Sequence, residues 1–471
     1  MASAKKLLVC AVAILLSVAI WAKFAPAELS LKGIKVVGIC LGALILWLTE
    51  AIPVTMSSIA IILTLCLSGT CSLEESLAGM ASPSVFLITL GFMIAEAVNQ
   101  TPVGKRLAFA VMGKFPPTPK GWLLGLFLVQ LVLSFAIPGY GVRTALLLPL
   151  VQSLTDEAER LGLGERFTKT MLLGLAYGGT VTGLTTLTAA VSNVFAVDLF
   201  RTLTGVTISY WDWLKVGVPL TVALLGCTWL VLGQLCKVPA SASLQLKKLL
   251  TAELQRMGKV STQEKKCLAV LALVVGLWAA EPITGWHSSL PAALGVLLLA
   301  APGIGVAEWR KLLNISWDIV LLVGASVSLS NALNSSGAAA YLSRALFASD
   351  ALRASLFTPF VGALLISSAL VLYHLLMTSS LTVIATTMPL LVSLSVSTGH
   401  NAVGMCMLAG VASFYGFVLV TQNLPNLTVY STGKLQNRDL FAPGLALSLV
   451  SVVVTSAISA ALWPALGFAP W

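Results

Sequence analysis

Arg143 is the residue whose chemistry fits its surroundings least, because it lies within an apolar stretch that runs from about 121 to 151. An arginine in mid-membrane costs at least about 2.5 to 3.5 kcal/mol on insertion scales, so its side chain must face protein or a cavity. Its planar guanidinium group can hold a carboxylate or a sulfate by two parallel hydrogen bonds, which lysine cannot do. We therefore expect Arg143 to contact an anion; the alternative is an internal ion pair with Glu96 or Asp198. The predicted substrate-binding residues of this stretch are Gly139, Tyr140, Gly141, Arg143 and Thr144.

Polar residues interrupt a second apolar stretch, from about 357 to 395, at Thr378-Ser379-Ser380. Non-helical backbone at membrane depth is tolerated only where protein or a water-filled cavity satisfies its hydrogen bonds, so such a tip is a natural ligand site. His374 lies in the same stretch and is either a substrate or proton ligand or a hydrogen-bonded structural residue. The predicted substrate-binding residues of this stretch are Ser379, Ser380 and Thr382.

Two further segments, 178–193 and 421–426, are too polar and too rich in Gly, Thr, Asn or Pro for an unbroken helix that faces lipid. We interpret each as a broken span; the alternative is a helix interface packed through Gly and Thr. Carbonyl groups freed by a break can coordinate a cation, and N–H groups at the start of the resumed helix can bind an anion. These segments add Ser192, Asn193, Pro425 and Asn426 to the predicted substrate-binding residues. The predicted cation-binding residues are Gly183, Thr186, Asn193, Ser379, Asn423 and Asn426.

The elements that must position these residues are membrane helices. The chain is 58% hydrophobic and 10% charged, with a mean hydropathy of +0.95, and apolar runs near the length of a membrane crossing recur along it. We predict an all-α polytopic membrane protein with about 11 transmembrane helices and two re-entrant hairpins, at about 121–151 and 357–395. Ordinary helix pairs with tight turns are the alternative for the two hairpins.

The chain contains the same unit twice. Leu46-Trp47-Leu48-Thr49-Glu50 recurs as Leu277-Trp278-Ala279-Ala280-Glu281, and further matches such as Leu148-Pro149 with Met388-Pro389 keep a spacing of 231 to 240 residues. Each unit has an odd number of spans, so the two enter the membrane in opposite senses, as in many secondary transporters with a site between the halves. We interpret the two repeated glutamates, Glu50 and Glu281, as capping or anchoring residues.

Four regions follow from this repeat. They are an N-terminal transmembrane helix (1–32), a first inverted repeat (33–236, with its hairpin at about 121–151 and its broken span at about 170–200), a cytoplasmic basic linker (237–266) and a second inverted repeat (267–471, with its hairpin at about 357–395 and its broken span at about 403–432). Leucines of the linker at 244, 246, 249, 250 and 254 predict either a surface helix attracted to anionic lipid or a solvated connector.

Charge and motifs exclude several classes of function. The net charge of +10 reflects membrane orientation and not nucleic-acid binding, because the basic residues lie mainly in loops on one side. This places the protein in the cytoplasmic (inner or plasma) membrane, with its N-terminus inside and its C-terminus outside; cleavage of the first helix as a signal peptide is the alternative for residues 1–32. No enzyme motif and no metal-type Cys/His spacing occurs, so we predict neither an enzyme nor a resident cofactor.

Nearly the whole chain resembles the divalent anion–sodium symporter family of the ion-transporter superfamily. The resemblance rests on Leu46-Trp47 with Glu50-Ala51-Ile52-Pro53, on the hairpin exit at 144–149, and on Ala412-Ser413-Phe414 leading into Asn423-Leu424-Pro425-Asn426. It implies a homodimer in the lipid bilayer that moves small anionic substrates by an elevator-type motion, with Na⁺ as the coupling ion.

The chain departs from that family at the hairpin tips. A Ser-Asn-Thr motif is expected at each tip, whereas the first tip reads Gly139-Tyr140-Gly141 and the second reads Ser379-Ser380-Leu381. The roles of that motif therefore do not carry over to the first tip. Asn193 and Asn426 of the broken spans do match the family pattern. We therefore hypothesise that the fixed charge of Arg143 does part of a cation's electrostatic work and reduces the need for sodium.

The sequence thus predicts a secondary active transporter of small anions, with di- or tricarboxylates first and sulfate-like oxyanions second. One alternative is an exchanger or exporter of another anion or organic acid within the same superfamily. A non-transporting membrane sensor or scaffold that has kept the fold is the other.

Overall fold

The regular structure of the protein is helical, as the sequence predicts. The computed structural model describes residues 2–23, 26, 28–162, 165–234 and 240–471, and within them no strand occurs. The helices before the linker are α1 (Ala2–Lys23), α2 (Leu31–Thr49), α3 (Val54–Leu67), α4 (Leu73–Leu77), α5 (Pro83–Asn99), α6 (Val103–Met112), α7 (Pro119–Ala136), α8 (Tyr140–Arg160), α9 (Glu165–Thr182), α10 (Val191–Thr204) and α11 (Tyr210–Gly233).

The remaining helices begin in the linker. They are α12 (Ala240–Arg256), α13 (Thr262–Ala279), α14 (Glu281–Thr284), α15 (Ser289–Ala300), α16 (Trp309–Leu312), α17 (Trp317–Ser335), α18 (Ala338–Leu346), α19 (Asp350–Leu356), α20 (Val361–His374), α21 (Ser380–Thr398), α22 (Ala402–Ala412), α23 (Leu424–Tyr430), α24 (Asn437–Ala461) and α25 (Trp463–Leu466). Three short 3₁₀ helices lie at Ala78–Ala81, Leu187–Ala189 and Val420–Gln422.

Six of the described helices are long and apolar enough to cross a membrane alone, namely α2, α7, α11, α17, α21 and α24. Two bent pairs raise this number to eight: α4 and its following 3₁₀ turn with α5, bent by 41°, and α19 with α20, bent by 99°. Shorter apolar segments lie in α1, α3, α15 and α22. The protein is therefore a polytopic helical membrane protein.

Each predicted hairpin is a pair of helices joined by a short non-helical tip. Helix α7 begins at Pro119 after Thr118, whose side chain accepts a hydrogen bond from the Gly121 N–H, and it ends before residues 137–139. Helix α8 then starts after Gly139, whose φ of +85° lies in the region that favours glycine. In the second hairpin, α21 starts after Ser379, whose hydroxyl accepts from the Leu381 N–H. The positive φ of Gly139 thus marks the first tip, and the Ser379 cap marks the second.

Each predicted broken span is also two helices separated by a buried interruption. Residues 183–190 separate α9 from α10, and residues 413–423 separate α22 from α23, with one 3₁₀ helix in each gap. Every residue from Thr170 to Ala190 is buried, so the first break lies in the protein interior. Buried non-helical backbone must find internal hydrogen-bond partners, and those partners define the site described below.

The linker is structured and packs against the first half of the chain. Its residues 237–239 lie outside the described residues, but Leu246 and Leu250 of α12 are fully buried, and α12 packs against α6 and α8. These two leucines therefore face protein, which neither the lipid-surface interpretation nor the solvated-connector interpretation had foreseen.

Arg106 of α6 fixes the end of the linker. It lies 2.5 Å from the Glu264 carboxylate and also donates to the carbonyl groups of Met257 and Gly258 at 3.0 and 2.8 Å. Glu264 in turn closes a capping box with Ser261 at the start of α13.

Candidate functional site

A central cavity of about 320 Å³ lies where the two hairpin tips and the two helix breaks meet. Six of the predicted residues line it: Gly139, Tyr140, Gly141, Ser192, Ser379 and Asn423. They come from α8, α10 and the segments before α21 and α23, so both halves of the chain contribute to one cavity. The tertiary structure therefore brings together the four segments that the sequence marks as interrupted.

Tyr140 is the side chain that connects these segments. Its hydroxyl group lies beside the hydroxyl groups of Ser192 and Ser380, which belong to the first broken span and the second hairpin. Its ring packs against Phe414 of the second break, with 5.7 Å between ring centroids. One phenol thus contacts three of the four segments, and it lines the cavity at the same time.

The two breaks are held by the same hydrogen bonds. The Asn193 amide Nδ2 donates to the carbonyl groups of Gly183 and Thr186, at 2.7 and 2.8 Å. The Asn426 amide Nδ2 donates to those of Gly416 and Leu419, at 3.2 and 2.9 Å. The pairs 183/416, 186/419 and 193/426 are each separated by 233 residues, which supports the duplication inferred from the sequence.

Both asparagines also keep a free acceptor. The Oδ1 atoms of Asn193 and Asn426 are buried and have no hydrogen-bond partner among the described residues. A buried amide oxygen without a donor is destabilising unless something else binds it, and an oxygen ligand of this kind suits a monovalent cation. The cation-binding roles of these two residues stay predictions; the carbonyl oxygens of Gly183 and Thr186 already accept hydrogen bonds from Asn193.

Arg143 is fully buried and does not line the cavity. Its Nη1 donates to the carbonyl groups of Ile137 and Ala189, at 2.7 and 2.8 Å, while Nε and Nη2 have no acceptor among the described residues. Neither carboxylate of the alternative ion pair contacts it, because Asp198 binds Arg201 at 2.8 Å and Glu96 lies near Gln100. Arg143 therefore joins the first tip to the first break.

His374 joins the second hairpin to the second break. Its Nε2 lies 3.2 Å from the carbonyl oxygen of Gln422, and the Gln422 amide donates back to the His374 carbonyl group at 3.1 Å. The Gln422 side-chain oxygen accepts from the N–H groups of Val418 and Leu419. These hydrogen bonds agree with the interpretation of His374 as a hydrogen-bonded structural residue, while its Nδ1 has no partner among the described residues.

The other predicted site residues lie behind the cavity wall. Thr144 donates to the Tyr140 carbonyl group at 2.9 Å and supports the first turn of α8. The rest are buried around the same segments without lining the cavity: Gly183, Thr186, Asn193, Ser380, Thr382, Pro425 and Asn426.

Two acidic residues at the cavity were not foreseen as site residues. Glu50 lies at the end of α2 in the left-handed region, with φ of +46°, and Asp318 lies at the start of α17 and accepts a hydrogen bond from Thr55. Both are exposed and line the cavity. The sequence shows each acid at the end of an apolar run, but nothing in it places the two ends side by side.

A second cavity, of about 210 Å³, contains Glu281, the counterpart of Glu50 in the repeat. Glu281 accepts a hydrogen bond from the Tyr210 N–H at 2.6 Å, which confirms its anchoring role. Asp198, Arg201 and His287 line the same cavity. The described residues hold no group of three or more His, Cys, Asp or Glu side chains suited to a metal ion, there or elsewhere.

Helical spans, two interrupted helix pairs and a cavity between repeated halves are the organisation of a membrane transporter. A family model described as the sodium:sulfate symporter transmembrane region matches residues 4–469. The chain belongs to this family, which confirms the resemblance seen in the sequence.

Three bacterial relatives match over nearly the whole chain. The sodium-dependent dicarboxylate transporter SdcS of Staphylococcus saprophyticus subsp. saprophyticus is 25% identical over 459 residues, which cover 92% of this chain and 86% of the relative. SdcS of Staphylococcus aureus (strain USA300) is 24% identical over 460 residues, with the same coverage. A membrane protein of Cupriavidus necator is 24% identical over 473 residues, covering 94% and 90% of the two chains.

A solved structure supports the fold alone. The crystal structure of the YdaH transporter of Alcanivorax borkumensis, described as having an unusual topology, matches with a TM-score of 0.53 at 14% sequence identity. The match covers 93% of this chain and 99% of the other.

Proposed function

We propose that this protein is a secondary active transporter of small anions, di- or tricarboxylates first and sulfate-like oxyanions second. The observation that carries the proposal is that α8, α10 and α21 all begin at the central cavity. The first N–H groups of a helix lack intrahelical partners and carry a partial positive charge, so several helix starts around one cavity favour an anion.

The cavity wall favours an anion with a carbon skeleton. Hydroxyl and amide groups of Tyr140, Ser192, Ser379 and Asn423 provide hydrogen bonds, and the remaining lining is largely apolar, with Phe92, Val142, Leu322, Leu381, Leu424 and Leu427 among its residues. A dicarboxylate can place its charged ends at the helix starts and its methylene groups against this apolar wall. The names of the SdcS relatives support the same substrate class and name sodium as the ion on which they depend.

The direction of access follows from the proposed orientation. With the N-terminus in the cytoplasm, α2 ends at Glu50 on the cytoplasmic side, so the cavity lined by Glu50 and Asp318 faces the cytoplasm. The hairpins and broken helices would then move as one domain against a scaffold near 33–69 and 267–302, in an elevator-type cycle of a homodimer in the inner or plasma membrane. Cysteine accessibility of the exposed residues Glu50 and Ile283, in cells of known orientation, tests the sidedness.

Uptake into proteoliposomes tests the proposed function. Labelled succinate, citrate and sulfate are offered with and without an inward sodium gradient, and we expect succinate uptake above that of protein-free liposomes. Ser379→Ala should lower the apparent affinity severalfold, since a lost hydrogen bond is worth about 1 kcal/mol. Ser397→Ala is the matched control, because Ser397 lies on the same helix and only bonds the Leu394 carbonyl group. Equal uptake by protein-containing and protein-free liposomes for every anion would contradict the proposal.

An anion exchanger is the second candidate, favoured by the fixed charge of Arg143 at the first tip. Counterflow distinguishes it from a symporter: an exchanger takes up labelled anion only when unlabelled anion is inside, without any ion gradient. Stabilisation of the purified protein by an anion that it does not transport would instead favour the sensor alternative.

A further inference from the structure

The guanidinium group of Arg143 binds two carbonyl groups that belong to different interruptions of the chain. Ile137 is at the tip of the first hairpin and Ala189 is in the first break, and both carbonyl oxygens lie within 2.8 Å of the same Nη1 atom. The Gly139 N–H also donates to the Ala189 carbonyl group, at 3.2 Å. One positively charged nitrogen thus fixes the tip and the break to each other.

Carbonyl groups of interrupted helices are the ligands with which transporters coordinate monovalent cations. Arginine is charged at every physiological pH and has no acceptor atom, so its Nη1 can take the place of a cation between two such oxygens. No carboxylate pairs with Arg143, and Nε and Nη2 have no acceptor among the described residues. Its positive charge is therefore not neutralised by the surrounding protein.

The second half of the chain has no such side chain. Helices α8 and α21 begin at Tyr140 and Ser380, and each has a proline at its tenth residue, so Val383 occupies the position of Arg143. By the 233-residue spacing of the breaks, Gln422 corresponds to Ala189, and its carbonyl group is bound by the imidazole of His374. The two halves therefore differ at the carbonyl groups that could bind a cation: an arginine binds them in the first half, and a histidine does so in the second.

We propose that Arg143 is a built-in replacement for one coupling cation, so that the first half-site works without a metal ion and any sodium requirement resides in the second half-site. This inference rests on the proposed transport of anions. A charge that is part of the chain stays at the site in every state, whereas a bound sodium ion must enter and leave with the substrate. The transporter therefore couples to one cation fewer than a transporter with two equivalent half-sites.

Sodium dependence of anion binding in Arg143 variants tests this. Purified wild type, Arg143→Gln, Arg143→Lys and Arg160→Gln are titrated with succinate at constant ionic strength, with sodium chloride exchanged for choline chloride. Arg160 is the matched control because it lies on the same helix, with its side chain 79% exposed. We expect Arg143→Gln to lose at least about tenfold in affinity in choline, within the usual range of coupling between two ligands, and to regain it in sodium.

The Hill coefficient for sodium gives a second readout. It should not exceed 1 in wild type, Arg143→Lys and Arg160→Gln, and it should rise above the wild-type value in Arg143→Gln. Sodium alone, without anion, should also raise the Tm of Arg143→Gln more than that of wild type, which shows that this variant is folded and has gained a cation site.

Two results would overturn the inference while leaving transport intact. One is a wild-type Hill coefficient clearly above 1, and the other is an Arg143→Gln variant that binds succinate equally weakly in sodium and in choline. If wild type binds and transports no tested anion in either medium, the proposed function itself fails and the inference fails with it.

Discussion

Asn193→Ala and Asn426→Ala each remove the asparagine that holds one helix break, and the two substitutions should destabilise the protein unequally. The Gly183 carbonyl group has no described donor besides Asn193, so Asn193→Ala leaves a buried oxygen without a hydrogen bond, while Thr186 keeps a bond from the Ala189 N–H at 3.1 Å. After Asn426→Ala, the Gly416 carbonyl group still accepts from Asn423 at 2.6 Å. The Leu419 carbonyl group likewise keeps a bond from the Gln422 N–H, at 3.4 Å.

The magnitudes follow from this difference. A buried acceptor that loses its only partner costs about 1 to 3 kcal/mol, whereas the loss of a bond that a second donor backs up costs about 0.5 to 1.5 kcal/mol. Asn193→Ala should therefore lower the free energy of unfolding by about 1 kcal/mol more than Asn426→Ala.

The double variant Asn423→Ala/Asn426→Ala should lower the free energy of unfolding by more than the sum of its two single variants, because only the two substitutions together leave the Gly416 carbonyl group without a donor.

Thermal unfolding in one detergent and at one scan rate measures the order of stability, since membrane proteins commonly unfold irreversibly. Asn334→Ala is the matched control, because Asn334 is exposed near the end of α17. We expect Tm to fall in the order Asn334→Ala, Asn426→Ala, Asn193→Ala. Equal Tm values for the two break variants, or a lower value for Asn426→Ala, would refute the hydrogen-bond assignment.

Three further predictions concern other contacts. Arg106 holds the pKa of the Glu264 carboxyl, at the linker end of α13, below its usual value of 4.5. This ion pair therefore stabilises the protein above about pH 4.5, and it stabilises the protein less as the pH falls through the lowered pKa. The Tm difference between wild type and Glu264→Gln should shrink in that range, and a constant Tm difference would contradict the assignment of this ion pair. A Cβ on Gly79 would lie 2.1 Å from the Gly324 carbonyl oxygen, so Gly79→Ala should lower Tm and the yield of monodisperse protein, whereas wild-type behaviour would show that the close approach is wrong. Tyr140→Phe keeps the ring packing but loses the hydroxyl group that lies beside Ser192 and Ser380, so it should weaken anion binding severalfold and lower Tm slightly in the absence of anion; unchanged affinity would remove the hydroxyl from the site.

The positions of the interruptions were predictable because their causes are local. Pro138 and Gly139 lie between α7 and α8, and Thr378 and Ser379 lie between α20 and α21. A Gly-rich run, or one that contains Asn and Pro, cannot continue as a lipid-facing helix at membrane depth. The duplication was also predictable from the sequence. Asn193 and Asn426, which stand in matching segments of the two halves, make equivalent hydrogen bonds to carbonyl groups of their own breaks.

The partners of individual side chains were not predictable. Arg143 binds carbonyl groups and neither proposed carboxylate, because Ala189, which is 46 residues away in sequence, is brought beside the first tip only by packing. Glu50 and Asp318 meet at one cavity for the same reason, since the ends of α2 and α17 become neighbours only in the folded chain. The linker leucines follow a helical pattern, but that pattern did not identify α6 and α8 as the helices against which α12, with its buried Leu246 and Leu250, packs.

The sequence by itself determined the membrane class, the repeat, the four interrupted segments and the family, because hydrophobic length, charge bias and helix-breaking residues act over a few turns of chain. Only the tertiary structure decided that these segments share one cavity, that Tyr140 of the first tip contacts the other three, and that Arg143 holds the first tip to the first break. The physical reason is that a buried polar group takes whichever partner the packed chain brings within hydrogen-bond distance, and that partner can come from any part of the sequence.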